Sequence, residues 1–384
     1  MMRCFKRNTG FQLLLYMGVF LAFSGCRESV YSTKESASSV GRSGEEKPAV
    51  SQPVASDTAV EEEFSAFDFG VAHAALQSVF NAIVIEKEGY SLVNYRYLIS
   101  DETVAGGFAE YLDYLRKIDI SLFLENSGQD LHRRDFRKAF WMNVYNTCVI
   151  RIVRDNYDLI KSNGDSITAI EDVWTQPSCP VGSYIFSLNQ VEHSILRNGL
   201  QRGLSEAQSL PEGLEYSEFD FTDMRTHFAV NCASGSCPTL SRQIFTSENI
   251  ETQLTELESR FWNTDKEARA PFLSQIRSPH PDRDGDVDAV LLINPIFSWF
   301  EDDIYDFYDG YKDYLQTVVS NPSDVSRVQA LSDDPVLDGE LAFFEYDWRL
   351  NDTEELNPNT LENFNYLERI PAFEPYITFR KELK

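Results

Sequence analysis

The chain has 384 residues, with 34 Lys and Arg against 61 Asp and Glu and a formal net charge of -27. Phosphate binding needs a basic surface, so this balance argues against nucleic acid as a partner. A field of that sign also disfavours other polyanions. Nearly all of the 27 Phe, 18 Tyr and 5 Trp lie beyond Phe64, so the chain from there on has the aromatic content to bury a large core.

At the N-terminus Arg3, Lys6 and Arg7 precede an apolar run, Phe11 to Phe23, which ends in Ser24-Gly25-Cys26. Basic, apolar and small residues in that order form a secretory signal, and the run is too short to be read as a spanning helix. The segment Leu21-Ala22-Phe23-Ser24-Gly25-Cys26 resembles a bacterial lipobox, with Phe23 where the pattern usually has Leu. The resemblance implies cleavage before Cys26, acylation of its thiol and amine by palmitate-type chains, and a lipid anchor in the cell envelope. The alternative is a plain secreted protein in which Cys26 is incidental. Arg27 stands where some bacteria use Asp for inner-membrane retention, which points to the outer membrane. Residues 27 to 63 are rich in Ser, Glu, Ala, Thr and Val and cannot bury enough apolar surface to offset their ordering entropy. The expected organisation is a signal over 1–25, a lipidated tether over 26–63 and one globular domain over 64–384.

Within that domain, Ala72, Leu76, Val79, Phe80 and Ile83 recur at helical spacing, as do Phe108, Tyr111, Leu112 and Leu115; Val93 to Leu98 between them reads as a short link. Asp135 to Asn156 is the strongest helix, and its apolar stripes carry two amides, Asn143 and Asn146. An unpaired buried amide costs about 1–3 kcal/mol, so these two are expected to clamp a neighbouring loop or to floor a polar site, with clamps favoured. Trp141, Trp299 and Trp348 are expected in the core. Ser187 and Gln190 have the spacing of a capping box at the start of the next helix, which carries Glu192 and His193. Val287 to Ile293 and Leu341 to Tyr346 read as strands, and Ser298-Trp299-Phe300 begins an aromatic helix. Strands and helices mix without a βαβ rhythm, which predicts a helix-rich α+β domain with a small central antiparallel or mixed sheet.

The stretch Arg225 to Pro238 gathers His227, Asn231, Cys232 and Cys237 around a Gly turn. Read as a strand, it puts His227, Ala229 and Asn231 on one face and Phe228, Val230 and Cys232 on the other. Pro238 suits the first position of a helix, leaving Cys237 at its N-terminus, where the helix dipole favours a thiolate. A disulfide between Cys232 and Cys237 is the competing reading. Asp282 to Asp288 alternates carboxylates around Gly285, a spacing that can hold calcium. It lacks the order of an EF-hand loop and reads as an acidic turn before a strand.

Four segments, Ala139 to Asn146, Ser187 to Arg197, Arg225 to Pro238 and Tyr346 to Asn351, together resemble the domain of unknown function 547 family over about residues 70–352. Where that family usually has Gly after the first cysteine, this chain has Ala233-Ser234-Gly235. The histidine and the Ser-Cys-Pro signature also look like circularly permuted papain-like thiol hydrolases, which implies a papain-like architecture. The leading function is then a thiol hydrolase or acyltransferase on peptide or amide bonds. Cys237 attacks, His227 carries the proton, and Glu192, Asn231 or His193 orients the imidazole. No cofactor is expected. One alternative is a ligand- or partner-binding envelope domain in which Cys148, Cys179, Cys232 and Cys237 form two disulfides, with three pairings open. Another is a metallohydrolase with His193, His227 and Glu192 as ligands, although no HExxH or paired-Cys spacing supports it.

Overall fold

In a computed structural model of the chain, helix α1 (Phe69–Ile83) forms where the first apolar stripe was read, and Ala72, Leu76, Val79, Phe80 and Ile83 are all buried. The residues described are 69–87, 90–120, 123, 131–214, 221–263, 276–277, 291–343 and 346–353, all within one compact unit, Val60–Lys384. The signal, the Cys26 anchor, the tether and the Asp282 to Asp288 stretch lie outside them.

Strands β1 (Val84–Lys87) and β2 (Tyr90–Val93) pair antiparallel, with Val84 opposite Val93. The segment read as a link from Val93 to Leu98 holds the end of β2 and the start of helix α2 (Tyr95–Ser100). Asn94 makes the difference: its side chain accepts from Tyr97 N at 2.9 Å, which starts a helix immediately after the strand. Asp101 caps helix α3 (Glu102–Lys117) in the same way, and Arg116 and Lys117 sit at its negative end.

Helix α4 (Leu131–Asp155) runs through the core, followed by α5 (Tyr157–Ser162). Trp141 is fully buried, edge-on to Phe140 and Phe186, and its indole N–H donates to Phe123 O at 3.3 Å. A disulfide joins Cys148 of α4 to Cys179 of β3 (Cys179–Val181), which pairs antiparallel with β4 (Tyr184–Phe186). The predicted capping box closes reciprocally: Gln190 N donates to Ser187 Oγ at 3.0 Å, and Ser187 N to Gln190 Oε1 at 2.8 Å. The turn it starts winds as a π-helix over Gln190–Leu196, followed by α6 (Gly199–Arg202).

After a 3-10 turn, Met224–Phe228, come α7 (Ile250–Asn263), β5 (Ile276–Arg277), β6 (Leu291–Ile293), α8 (Ile296–Trp299), α9 (Glu301–Phe307), α10 (Tyr311–Val318), α11 (Pro322–Gln329) and β7 (Leu341–Phe343). Strand β6 pairs antiparallel with β5 and parallel with β7. The α+β, helix-rich class therefore holds, with the described strands divided among three small sheets instead of one central sheet. Of the three tryptophans expected in the core, Trp141 is buried, Trp348 is half-buried and Trp299 is 44% exposed. Trp299 lies over Trp348, with ring centroids 5.6 Å apart, and closes an aromatic cluster at the surface instead of filling the interior.

Candidate thiol site

The site is built by clamps. Both inward amides of α4 bind loop backbone: Asn143 exchanges hydrogen bonds with Phe245 (Nδ2 to O 2.7 Å, N to Oδ1 3.0 Å), and Asn146 donates to Ala229 O at 2.9 Å and accepts from Asn231 N at 2.9 Å. Asn231 repeats the device one turn on. Its amide donates to Pro238 O at 2.7 Å and accepts from Ala233 N at 2.9 Å and from Asn351 Nδ2 at 3.2 Å. From the other side the segment 346–353 holds the turn, through Gly235 N to Arg349 O, Asn351 N to Ala233 O and Asp347 N to Ser236 Oγ.

These clamps explain why Arg225 to Cys232 is not the strand it was read as. Asp223 caps the 3-10 turn through Arg225 N, and is itself held by the buried Lys138 at 2.6 Å and by Arg225 at 2.7 Å. Burial alone would raise the Asp223 carboxyl, but these two cations hold it well below the usual carboxylate range. The backbone beyond Phe228 then bonds to the side chain of Asn146 instead of to a strand. Pro238 likewise starts no helix. The N–H groups of Leu240, Ile244 and Phe245 donate to Ser91, Gln77 and Asn143, which leaves no i-4 ladder to form. Cys237 is therefore not at a helix N-terminus.

The two thiols are free and half-buried, with their sulfurs 2.9 Å apart. Cys232 N donates to Cys237 Sγ at 2.9 Å. Cys232 Sγ also lies 3.1 Å from both Ser234 Oγ and Tyr346 Oη, and Ser234 donates to the Tyr346 hydroxyl at 2.8 Å. Burial would raise the Cys232 thiol, but hydrogen bonds from Cys237, Ser234 and Tyr346 outweigh it and bring it below its ordinary value. Cys237 goes the opposite way, pushed well up by burial and by the neighbouring Cys232. The hydroxyl neighbours thus lie on Cys232, where the sequence reading gave thiolate character to Cys237. The turn between them carries Ala233 in the left-handed region, at φ +63°, with its methyl fully buried.

The imidazoles lie in a second cluster. His227 Nε2 is 2.5 Å from Asp303 Oδ2, its ring stacks on Phe300 at 4.1 Å, and its buried Nδ1 has no hydrogen-bond partner. Asp303 also takes Arg197 Nε at 2.8 Å and Arg202 at 2.5 Å. Burial opposes ionisation of Asp303, yet the bonds from His227 and Arg197 keep its carboxyl far below the ordinary range. His193 is buried, 3.0 Å from Arg197, and burial lowers its pKa. Glu192 faces Tyr145, and its charge reaches Cys232. The orienting partner of His227 is therefore Asp303. Asn231 is occupied by its own loop, Glu192 by the Tyr145 side and His193 by Arg197. Among the described residues no hydrogen bond joins either thiol to an imidazole.

Residues 129–262 match the family described as "Protein of unknown function, DUF547". That stretch is similar to the DUF547 family. The match covers three of the four motifs read in the sequence and a shorter range than the 70–352 expected from them. Neither the curated proteins nor the solved structures give a match. The DUF547 segment supplies both thiols, His227 and the Asn146 clamp, while Asp303, Tyr346 and Asn351 reach the same site from outside it. Asp303 was missed because it stands in the acidic run Glu301-Asp302-Asp303. The available signal was its place beside Ile304, three residues after Phe300, on the apolar side of α9. Among the described residues no three His, Cys, Asp or Glu side chains converge to hold a metal ion. A surface pocket of about 490 Å³ lined by Gln77, Asn81, Glu86, Arg242 and Arg260 contains none of the DUF547 candidate residues.

Proposed function

We propose that this protein is a lipid-anchored cell-envelope enzyme, a thiol-dependent hydrolase or acyltransferase acting on peptide or amide bonds at the Cys232–Cys237 turn. The observation that carries the reading is the set of polar neighbours around Cys232, which favours its thiolate. In this reading Cys232 attacks the carbonyl carbon. The Tyr346 hydroxyl that stabilised the thiolate, itself accepting from Ser234, is then free to turn to the developing oxyanion. His227, oriented by Asp303 and with Nδ1 unpaired, takes the proton that Cys232 loses and passes it to the leaving amine, and water or an acceptor amine then takes the acyl group from Cys232. The signal and lipobox support export and anchoring, and the buried Cys148–Cys179 disulfide suits an oxidising compartment.

An activated acyl ester tests the site: the acyl group is expected on Cys232, and His227→Ala is expected to slow turnover of an amide substrate by about 100-fold or more. Acylation spread over surface nucleophiles with Cys232 unlabelled would sink the reading. Cys26→Ser tests the anchor, since incorporation of labelled fatty acid should stop; unchanged labelling removes it.

A second reading, a non-catalytic partner-binding envelope domain, is favoured by the ion pairs at Asp303, which alone suffice to keep His227 in place as a structural residue. On that reading His227→Ala changes stability, and no amide substrate turns over in the unsubstituted protein.

A further inference from the structure

The chain contains two cysteine pairs in opposite surroundings. Cys148 and Cys179 are joined and fully buried, and their sulfurs are closed to any attacking thiolate. Cys232 and Cys237 are free, half-buried and 2.9 Å apart, inside van der Waals contact of two sulfur atoms. A disulfide needs about 2.0 Å, so the bond forms with roughly 0.9 Å of closure. The backbone is already set for that ring. The Asn231 amide ties Pro238 O to Ala233 N across it, Asn146 fixes its entry at Ala229 and Asn231, and Ala233 makes the reversal in the left-handed region. These bonds are made by side chains and backbone other than the two sulfurs, so the turn keeps its shape whether the sulfurs are joined or not.

We infer that Cys232 and Cys237 form a redox-active dithiol that exchanges with an external disulfide, an activity separate from acyl transfer. Cys232, which has the Tyr346 hydroxyl beside it and is only half-buried as a residue, attacks one sulfur of the incoming disulfide R–S–S–R′. The Cys232–S–S–R bond forms and R′S⁻ leaves. The Cys237 proton passes to that thiolate or to water. The Cys237 thiolate then attacks Cys232 Sγ, forming the Cys232–Cys237 bond and expelling RS⁻. Two electrons pass from the protein dithiol to the disulfide, which is reduced to two thiols, and a dithiol reductant reverses the sequence. The split between the sulfurs suits this division of labour: the one favoured as thiolate attacks, and the one held as thiol waits until the mixed disulfide has formed. The substrate class is a small or protein disulfide.

The test uses the full chain with no acyl compound present, so its outcome is independent of the hydrolase reading. The reduced protein is incubated with oxidised glutathione, quenched with acid, alkylated and mapped by mass spectrometry. The expected product is a Cys232–Cys237 bond formed with release of two equivalents of glutathione, and reopened by dithiothreitol under native conditions with Cys148–Cys179 intact. Cys237→Ser should stop at a glutathione adduct on Cys232, and Cys232→Ser should form its adduct on Cys237 at least tenfold more slowly. Three results overturn the inference: two free thiols after oxidation, a persistent glutathione adduct in the unsubstituted protein, or a Cys232–Cys237 bond that native dithiothreitol cannot open.

Discussion

The Cys148–Cys179 pair and the Cys232–Cys237 pair differ in what holds their sulfurs together. The first joins the middle of a core helix to a short strand 31 residues away, where Arg151 of the helix also donates to Ser178 O beside the bridge. The second closes a six-residue turn that hydrogen bonds already hold from both sides. In the first pair the bond supports the structure; in the second the structure presents the bond. Burial follows the same division, complete for one pair and partial for the other.

The largest effect that can break this contrast is on stability. Replacing Cys148 and Cys179 together by Ala should lower the unfolding free energy by about 2–4 kcal/mol, read by urea titration. Cys232→Ser should cost about 1 kcal/mol or less, because its turn keeps its clamps. Equal losses would mean that both pairs are structural.

Next comes the clamp itself. Asn146→Ala leaves Ala229 O and Asn231 N without their buried partner and should cost about 2–4 kcal/mol. It should also let the two sulfurs drift apart, so disulfide formation with oxidised glutathione should slow. A variant that loses stability but closes the ring at the original rate would show that the clamp does not position the thiols.

These amides mark how far the sequence could be read. Asn143 and Asn146 were legible as inward polar residues that had to find backbone, and the Ser187–Gln190 box was legible because both of its partners are local. The course of the chain from Arg225 to Phe245 was not. Its N–H groups are satisfied by Asn146, Ser91, Gln77 and Asn143, all distant in sequence, so local alternation suggested a strand and Pro238 a helix where neither forms. Asp303 was hidden for a related reason, since one buried carboxylate among exposed neighbours differs from them only by what it meets in space. The motif residues themselves were found; the hydroxyl beside Cys232 comes from Tyr346, more than a hundred positions away.

Tyr346→Phe sharpens the contrast through pH. The hydroxyl favours the Cys232 thiolate, so removing it should raise that thiol's pKa and leave less thiolate below the ordinary cysteine value of about 8.5. Alkylation of Cys232 at pH 6 should therefore slow by about threefold to tenfold, while the rate at pH 10, where thiolate is abundant in both proteins, changes little. Cys148 and Cys179 should stay unlabelled throughout. A uniform slowing at both pH values would indicate lost packing and not a lost hydrogen bond.

The smallest effect is expected at Ala233. A left-handed conformation costs a residue with a Cβ about 1–2 kcal/mol, and Ala233→Gly would remove that strain. Against the gain stand the extra freedom of glycine in the unfolded chain, about 0.4–1 kcal/mol, and the loss of a fully buried methyl, about 0.8 kcal/mol. The terms nearly cancel, so stability should stay within about 0.5 kcal/mol of the original by urea titration. Ring closure is the more sensitive measurement. Glycine has more backbone conformations open to it than alanine, so the dithiol should close more slowly in the glycine variant although its stability is unchanged. Ala233→Val should fail on both counts, because a β-branched side chain is a true outlier at positive φ. If valine were tolerated and closed the ring normally, the turn could not be the preset frame that separates this pair from Cys148–Cys179.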